Sequence, residues 1–183
     1  MSSHAGTLQP VVAAHDHVKG PSNARVTLVE YGDYQCPHCF RAFPVVQELQ
    51  QRLGNELRFV FRNFPLTEAH PEAMHAAEAA ESVGVHSGAD AFWKMHDAIF
   101  SHQQDSERAL DDAHLARYAT AAGADATKVS ADLAGDVHQA RVHADFMSGV
   151  RSGVNGTPTF FINGVRFDGD WTDVESFEAA LRE

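Results

Sequence analysis

The chain has little cysteine, no clustered positive charge and no long apolar run, and each shortage removes a class of explanation. Two cysteines in 183 residues cannot make a disulfide scaffold, because Cys36 and Cys39 are two residues apart and close too small a loop to staple a fold. Fourteen Lys and Arg against 25 Asp and Glu give a formal charge of −11. No basic face is available to neutralise phosphates, so nucleic acid is excluded as a partner. No stretch approaches the roughly 20 apolar residues that cross a bilayer, so no membrane insertion is expected. Near the N-terminus the longest run free of polar residues is Val11 to Ala14, and Met1 to Thr7 holds no Lys or Arg. A secretory signal needs a basic start and an apolar core of about 7–15 residues. The chain as written is therefore expected in the cytoplasm; one whose signal had been removed would read the same and belong to the periplasm or the cell exterior.

What remains is an ordinary globular composition, 44% hydrophobic and 21% charged, enough for one domain or a domain carrying an insertion. Residues 1–15 are small and polar and read as a flexible N-terminal segment; His15-Asp16-His17 reads as local turn bonding. Val26 to Tyr31 is a β-rich, nearly continuous apolar run, as in a strand covered on both faces. From Cys36 the period changes: Cys39, Phe40, Phe43, Val46, Leu49 and Leu53 form one helical stripe that closes at Gly54. Pro37 falls in the first turn, where its missing N–H costs nothing, and Pro44 falls inside the helix. Leu57 to Phe64 is a second strand, so the segment predicts a right-handed parallel βαβ unit.

Residues 67–150 hold no strand pattern but several helical ones: Pro71 to Val83 ending at Gly84, Ala89 to His102, Asp112 to Ala122, and a long one from Ala126 to Val150 with a break near Gly135. Their apolar stripes, including Val129, Leu133, Val137, Val142 and Phe146, are expected to be core. After Gly156 the pattern returns to β, and Thr159 to Ile162, Asn163-Gly164 and Val165 to Phe167 spell a hairpin with a type I′ turn. A last helix follows from about Asp173 to Leu181. Residues 16–66 and 151–183 thus form one α/β unit, βαβ…ββα, interrupted by an all-α insertion at 67–150.

The chemistry concentrates at Cys36-Pro37-His38-Cys39. At a helix N-terminus, unpaired N–H groups and the positive end of the dipole stabilise a thiolate and lower a cysteine pKa from about 8.5 into the range of roughly 3.5–7.5. Cys36 is then the attacking nucleophile, and His38 can donate a hydrogen bond or place positive charge near that sulfur. Cys39, one turn in and on the buried stripe, is placed as the resolving thiol. Glu30 is a carboxylate inside an apolar strand, where desolvation raises the pKa toward neutrality; the alternatives are a wet strand end or an ion pair with Arg58. A CxxC also serves as half of a zinc clip. The other half is missing, since no HxxxH or HxxH pair lies on a predicted helix and the nearest, His70 with His75 and His138 with His143, are five apart. No metal and no cofactor is assigned.

Glu30 six residues before Cys36, the CPHC motif, Pro44, the helical insertion and Gly156-Thr157-Pro158-Thr159-Phe160 occur in the order found in the DsbA-type thiol–disulfide oxidoreductases. From about Asp16 to its C-terminus the chain resembles that family. The resemblance implies a thioredoxin-like fold with an inserted helical subdomain, and thiol–disulfide exchange of the oxidase or isomerase type on protein thiols and disulfides. It implies a redox partner whose identity the chain does not reveal. It gives Glu30 the role of taking or relaying the proton of the resolving thiol. Thr157-Pro158 becomes a cis-proline loop that faces the thiols and receives client peptide as an added strand, with the Thr157 hydroxyl in reach of Cys36. A threonine before that proline is similar to isomerase-like members. Two other functions fit a thiol pair on such a fold: a module that holds Cu(I) or Zn(II) through Cys36 and Cys39, and a peptide-binding holdase whose groove matters more than its thiols. With no amphipathic dimerisation stem, the chain is expected to be a monomer.

Overall fold

The computed structural model describes residues 6–183. The core of the fold is a five-stranded sheet in the order β1 (His17–Lys19), β3 (Leu57–Asn63), β2 (Val26–Gly32), β4 (Thr159–Ile162) and β5 (Val165–Phe167). β2 (Val26–Gly32) and β3 (Leu57–Asn63) run parallel, in register from Val26 opposite Leu57 to Gly32 opposite Asn63. α1 (Pro37–Leu53) makes the crossover between them. β4 (Thr159–Ile162) lies antiparallel on the other side of β2, and β5 (Val165–Phe167) antiparallel to β4. β2 is therefore central, and every residue in it except Thr27 is buried, as its apolar run predicts.

Strand periodicity sorts these side chains onto two faces. Val26 and Leu28 join Cys39, Val46 and Leu49 of α1 and Phe177 and Leu181 of α7 (Val174–Arg182) in one apolar cluster. Val29 and Tyr31 join Val60, Phe64 and Phe161 in a second, with Phe146 of α6 (Gln139–Arg151) against it. The two-residue period puts Glu30 on the first face, the one α1 covers. Phe160 and Phe161 split in the same way between the clusters. A fully buried Phe is worth about 1.5–3 kcal/mol, so a one-residue slip of β4 would forfeit both and is strongly opposed. The turn between β4 and β5 also fixes that register: Asn163 and Gly164 have φ of 48° and 83°, the positive values of a type I′ turn, and Asn163 Oδ1 accepts from the Thr27 N–H at 2.9 Å.

The insertion consists of α2 (Ala73–Ser87), α3 (Ala89–His102), α4 (Asp112–Ala121), α5 (Ala126–Ala134) and α6. α2 does not stop at Gly84 but runs on to Ser87. Gly84 lies inside the helix against Phe92 of α3, where a Cβ would sit at 3.4 Å in ordinary contact, and Gly88, at φ 90°, ends the helix instead. The helical stretch expected from Ala126 to Val150 is broken near Gly135 as expected, into two helices separated at Gly135 to His138 with Asp136 at φ 48°. Val137 falls in that connection and is 58% exposed, not core.

The N-terminal segment departs furthest from expectation. Residues 1–5 of the expected flexible stretch lie outside the described residues, and residues 6–15 are mostly exposed but anchored at Leu8. Leu8 is buried in the second cluster and donates its N–H to Gly164 O at 2.9 Å, and Thr7 bridges to Val165. His15-Asp16-His17 is not merely a local turn. Asp16 grips the buried Arg62 through both oxygens at 2.8 and 2.9 Å, and His17 reaches Glu81 at 2.8 Å. This arrangement creates β1 (His17–Lys19), a three-residue edge strand antiparallel to β3, too short to show a period in sequence.

Candidate active site

Cys36 is the N-cap of α1, with extended φ and ψ of −70° and 124°, and Pro37 follows in the first turn. Pro37 and His38 are exposed; Cys36 and Cys39 are buried and are free thiols. The Cys36 Sγ lies 3.7 Å from the carbonyl oxygen of Thr157, whose peptide bond to Pro158 is cis. The expected loop thus faces the expected nucleophile. The Thr157 carbonyl meets the sulfur, and the Thr157 hydroxyl is near enough to bear on its acidity, though Thr157 Oγ1 is buried with no hydrogen-bond partner among the described residues.

The two thiols are driven apart in acidity. The neighbouring Cys39 thiol is the largest influence holding Cys36 down to about 5. Partial burial opposes it, and the backbone N–H groups of Cys39 and His38 reinforce it. The Thr157 side chain also favours the thiolate without meeting the geometry of a hydrogen bond. Burial pushes Cys39 well above the ordinary thiol value, and the neighbouring Cys36 and Glu30 push it further. The Asp33 N–H, which donates to Cys39 Sγ at 3.5 Å, acts in the opposite direction. The neighbouring thiol and the helix N-terminus favour charge on one sulfur, and an apolar face disfavours it on the other.

Glu30 is 3% exposed, and its Oε1 has no hydrogen-bond partner among the described residues. Neither alternative for it holds: it is not at a wet strand end, and Arg58 bonds Thr27 instead, at 3.0 Å. Burial, followed by the charge of Cys36, raises its pKa to about 8. His38 differs from expectation. Its imidazole accepts from Arg41 at 2.7 Å, and its influence on Cys36 comes through its backbone N–H.

Three further residues hold the site, and none was singled out from sequence. Asp33 is 1% exposed; Oδ1 accepts from the N–H groups of Gln35 and Cys36 at 2.8 and 3.2 Å, and Oδ2 from Leu66 N–H at 2.9 Å. His70 Nδ1 lies 2.7 Å from the same Oδ2. Gln103, just past α3, donates Nε2 to the carbonyls of Tyr34 and Cys36 at 2.7 and 3.0 Å. An Asp three residues before a helix cap is a recognisable signal of side-chain-to-backbone bonding; Gln103, 67 residues away, carries none. Beside Pro37 an open cleft of about 330 Å³ is lined by Gln35, His70, Gln103 and Leu110.

The family described as thioredoxin matches residues 13–183. Among curated proteins, the chain is 42% identical over 172 residues to the Na(+)/H(+) antiporter NhaA 1 of Salinispora arenicola, covering 94% of this chain and 25% of that protein. It is 39% identical over 178 residues to NhaA 1 of Mycolicibacterium vanbaalenii, covering 95% and 27%. The chain thus spans about a quarter of the length of these relatives. Among solved structures, BdbD from Bacillus subtilis superposes with a TM-score of 0.82 at 23% identity, over 91% of each chain. α-DsbA1 of Wolbachia pipientis gives 0.78 at 18%, over 93% of this chain and 91% of that one. The catalytic domain of Proteus mirabilis ScsC gives 0.76 at 20%, over 94% and 90%. At these identities the likeness establishes the fold.

Proposed function

The chain belongs to the thioredoxin family, and from that premise we propose that it is a thiol–disulfide oxidoreductase acting on protein thiols, with Cys36 as nucleophile and Cys39 as resolving thiol. One observation carries this reading: the acidic thiol sits at the N-terminus of α1 against the Thr157 carbonyl, while its partner is fully buried one turn inside.

In the oxidising direction a client thiolate attacks Cys36 Sγ of the disulfide. The Cys36–Cys39 bond breaks and its electron pair leaves on Cys39, which takes a proton. A second client thiolate then attacks the client sulfur of the mixed disulfide and releases Cys36 as a thiolate. The client loses two electrons and two protons, the protein's disulfide is reduced, and a redox partner must reoxidise it. A leaving thiolate with a pKa of about 5 is a good one, so the couple should be oxidising. Glu30, neutral below about pH 8 and on the same sheet face as Cys39, is suited to hold the proton that Cys39 receives. The Thr157 backbone offers a client peptide strand-like pairing beside the sulfur. An oxidising couple works where thiols are not kept reduced, which favours a periplasmic or extracellular address over a cytoplasmic one.

The antiport named for the curated relatives belongs to much longer proteins, and no helix of the described residues is long and apolar enough to cross a membrane; transport is not proposed for this chain. The test of the exchange reading is Cys39→Ser. With the resolving thiol gone, the Cys36 thiolate attacks a client disulfide, expels one client thiolate and stays joined to the other sulfur, so mixed disulfides on Cys36 should accumulate and be released by dithiothreitol. If Cys39→Ser traps no more client than Cys36→Ser, the assignment of the two thiols is wrong.

A further inference from the structure

Two buried carboxylates carry oxygens without hydrogen-bond partners among the described residues. Glu30 faces the thiols. The other, Glu78 on α2, is 1% exposed and has both oxygens unpartnered. Other buried acids are satisfied: Glu81 by His17 and Asn63, Asp145 by Asn63 and Arg141, and Asp16 by Arg62. A desolvated carboxylate with nothing to bind is costly, and burial raises the Glu78 pKa. Its surroundings supply what a cation needs. His75 lies one turn earlier on the same face of α2. Asp136 comes from the turn between α5 and α6. The donor atoms of His75, Glu78 and Asp136 all lie within 4.8 Å of one another.

We propose that His75, Glu78 and Asp136 form a binding site for a divalent transition-metal ion of the zinc class, separate from the thiol pair. The orientation of the imidazole supports this. His75 Nδ1 pairs with Asp112 Oδ1 of α4 at 2.8 Å, which leaves Nε2 facing Asp136 Oδ1 at 3.9 Å. A metal-binding histidine ordinarily has such a carboxylate behind it, fixing tautomer and ring direction. One imidazole and two carboxylates suit zinc better than the all-oxygen sites that calcium or magnesium prefer. Zinc bonds of about 2.0–2.1 Å in a tetrahedral arrangement place ligand atoms about 3.3 Å apart, so the donors must close in by up to about 1.5 Å. Asp136, with a 57% exposed side chain, is on the element free to do so. Three protein ligands leave a fourth position open toward solvent. Bound metal would tie α2, the α5–α6 turn and, through Asp112, α4 into one unit.

A second group, His86, Asp132 and His138, lies along the same helices. Asp132 Oδ2 already accepts from Ser82 Oγ, His86 Nε2 and His138 Nε2 at 2.8, 2.9 and 2.7 Å, so this group is satisfied without a cation. It provides the discriminating control.

The test uses tag-free, metal-stripped protein with the Cys36–Cys39 disulfide formed, so that thiols contribute no ligand and the result is independent of the exchange reading. Calorimetric titration with Zn2+ should show one saturable site per chain, and Zn2+ should raise the melting temperature where Ca2+ does not. Glu78→Gln and His75→Ala should each weaken binding at least tenfold, and Asp112→Asn by about 10–100-fold. The His86→Ala/His138→Ala double variant should bind as wild type does. His75 is 36% exposed at its side chain, so His75→Ala keeps the test decisive if Glu78→Gln folds poorly. No saturable Zn2+ binding by wild type, binding undiminished in His75→Ala, or binding lost in the double variant would overturn the proposal.

Discussion

Asp33 Oδ2 and His70 Nδ1 lie 2.7 Å apart, and that contact fastens the loop carrying Cys36 to the segment leading into the inserted helices. Asp33 also accepts from three backbone N–H groups, those of Gln35, Cys36 and Leu66. The insertion and the thiol loop are thus held by one buried carboxylate. Removing it strands several donors at once. Asp33→Ala should cost at least about 2 kcal/mol, since each buried group left unsatisfied costs about 1–3 kcal/mol. Asp33→Asn, which keeps one acceptor, should cost less. Urea unfolding of both variants checks this, and an unchanged midpoint for Asp33→Ala would show that the loop is held by something else.

The acidity of Cys36 is measurable through the ultraviolet absorption of its thiolate, which should titrate near pH 5 in the reduced protein and be absent from Cys36→Ser. The same displacement links redox state to stability. The folded pKa is depressed below the unfolded value of about 8.5, so the stabilisation of the reduced form is complete above that value and is lost as pH falls through about 5. At about 1.4 kcal/mol per pKa unit, the gap between reduced and oxidised protein should change by a few kcal/mol across that window. Unfolding both forms at pH 5 and pH 8.5 gives the comparison; a gap independent of pH would place the Cys36 pKa at its ordinary value.

Glu30 shifts in the opposite direction. Its pKa is raised from 4.5 to about 8, so its contribution is fully present below about pH 4.5 and is lost as pH rises through 8. Wild type should therefore lose stability relative to Glu30→Gln between those limits, and the difference should level off above pH 8. The effect should be smaller in the oxidised protein, where Cys36 carries no charge and burial alone acts. Under the proposed proton role, Glu30→Gln should also slow the step in which Cys39 leaves while sparing formation of the Cys39→Ser mixed disulfide. Parallel stability curves for wild type and variant would remove the raised pKa from consideration.

Much of the sheet could be read in the chain because its signals are local. The buried run of β2, the helical stripe from Cys39 to Leu53 and the Asn163-Gly164 turn each state their own geometry within a few residues. The helix boundaries that went astray depend on partners elsewhere. Gly84 looks like a terminator until Phe92 is seen to pack against it, and Val137 looks like core until the chain turns at Asp136. β1 exists because Asp16 finds Arg62 across 46 residues, which no window along the sequence contains. The site divides in the same way. The thiols, Glu30 and Thr157-Pro158 carry their own residue signatures, whereas Gln103 and His70 matter only by where the insertion places them. His38 carried a signature too, but its ring turns to Arg41.

The redox potential of the Cys36–Cys39 couple, obtained by equilibrating the protein in glutathione buffers and counting free thiols, tests the central claim most directly. A thiolate held near pH 5, chiefly by the Cys39 thiol and with help from the first N–H groups of its helix, should give a value in the range of about −120 to −180 mV, that of disulfide oxidants and isomerases. A value near about −270 mV or below, characteristic of reductants, or a pair that forms no reversible disulfide, would contradict it.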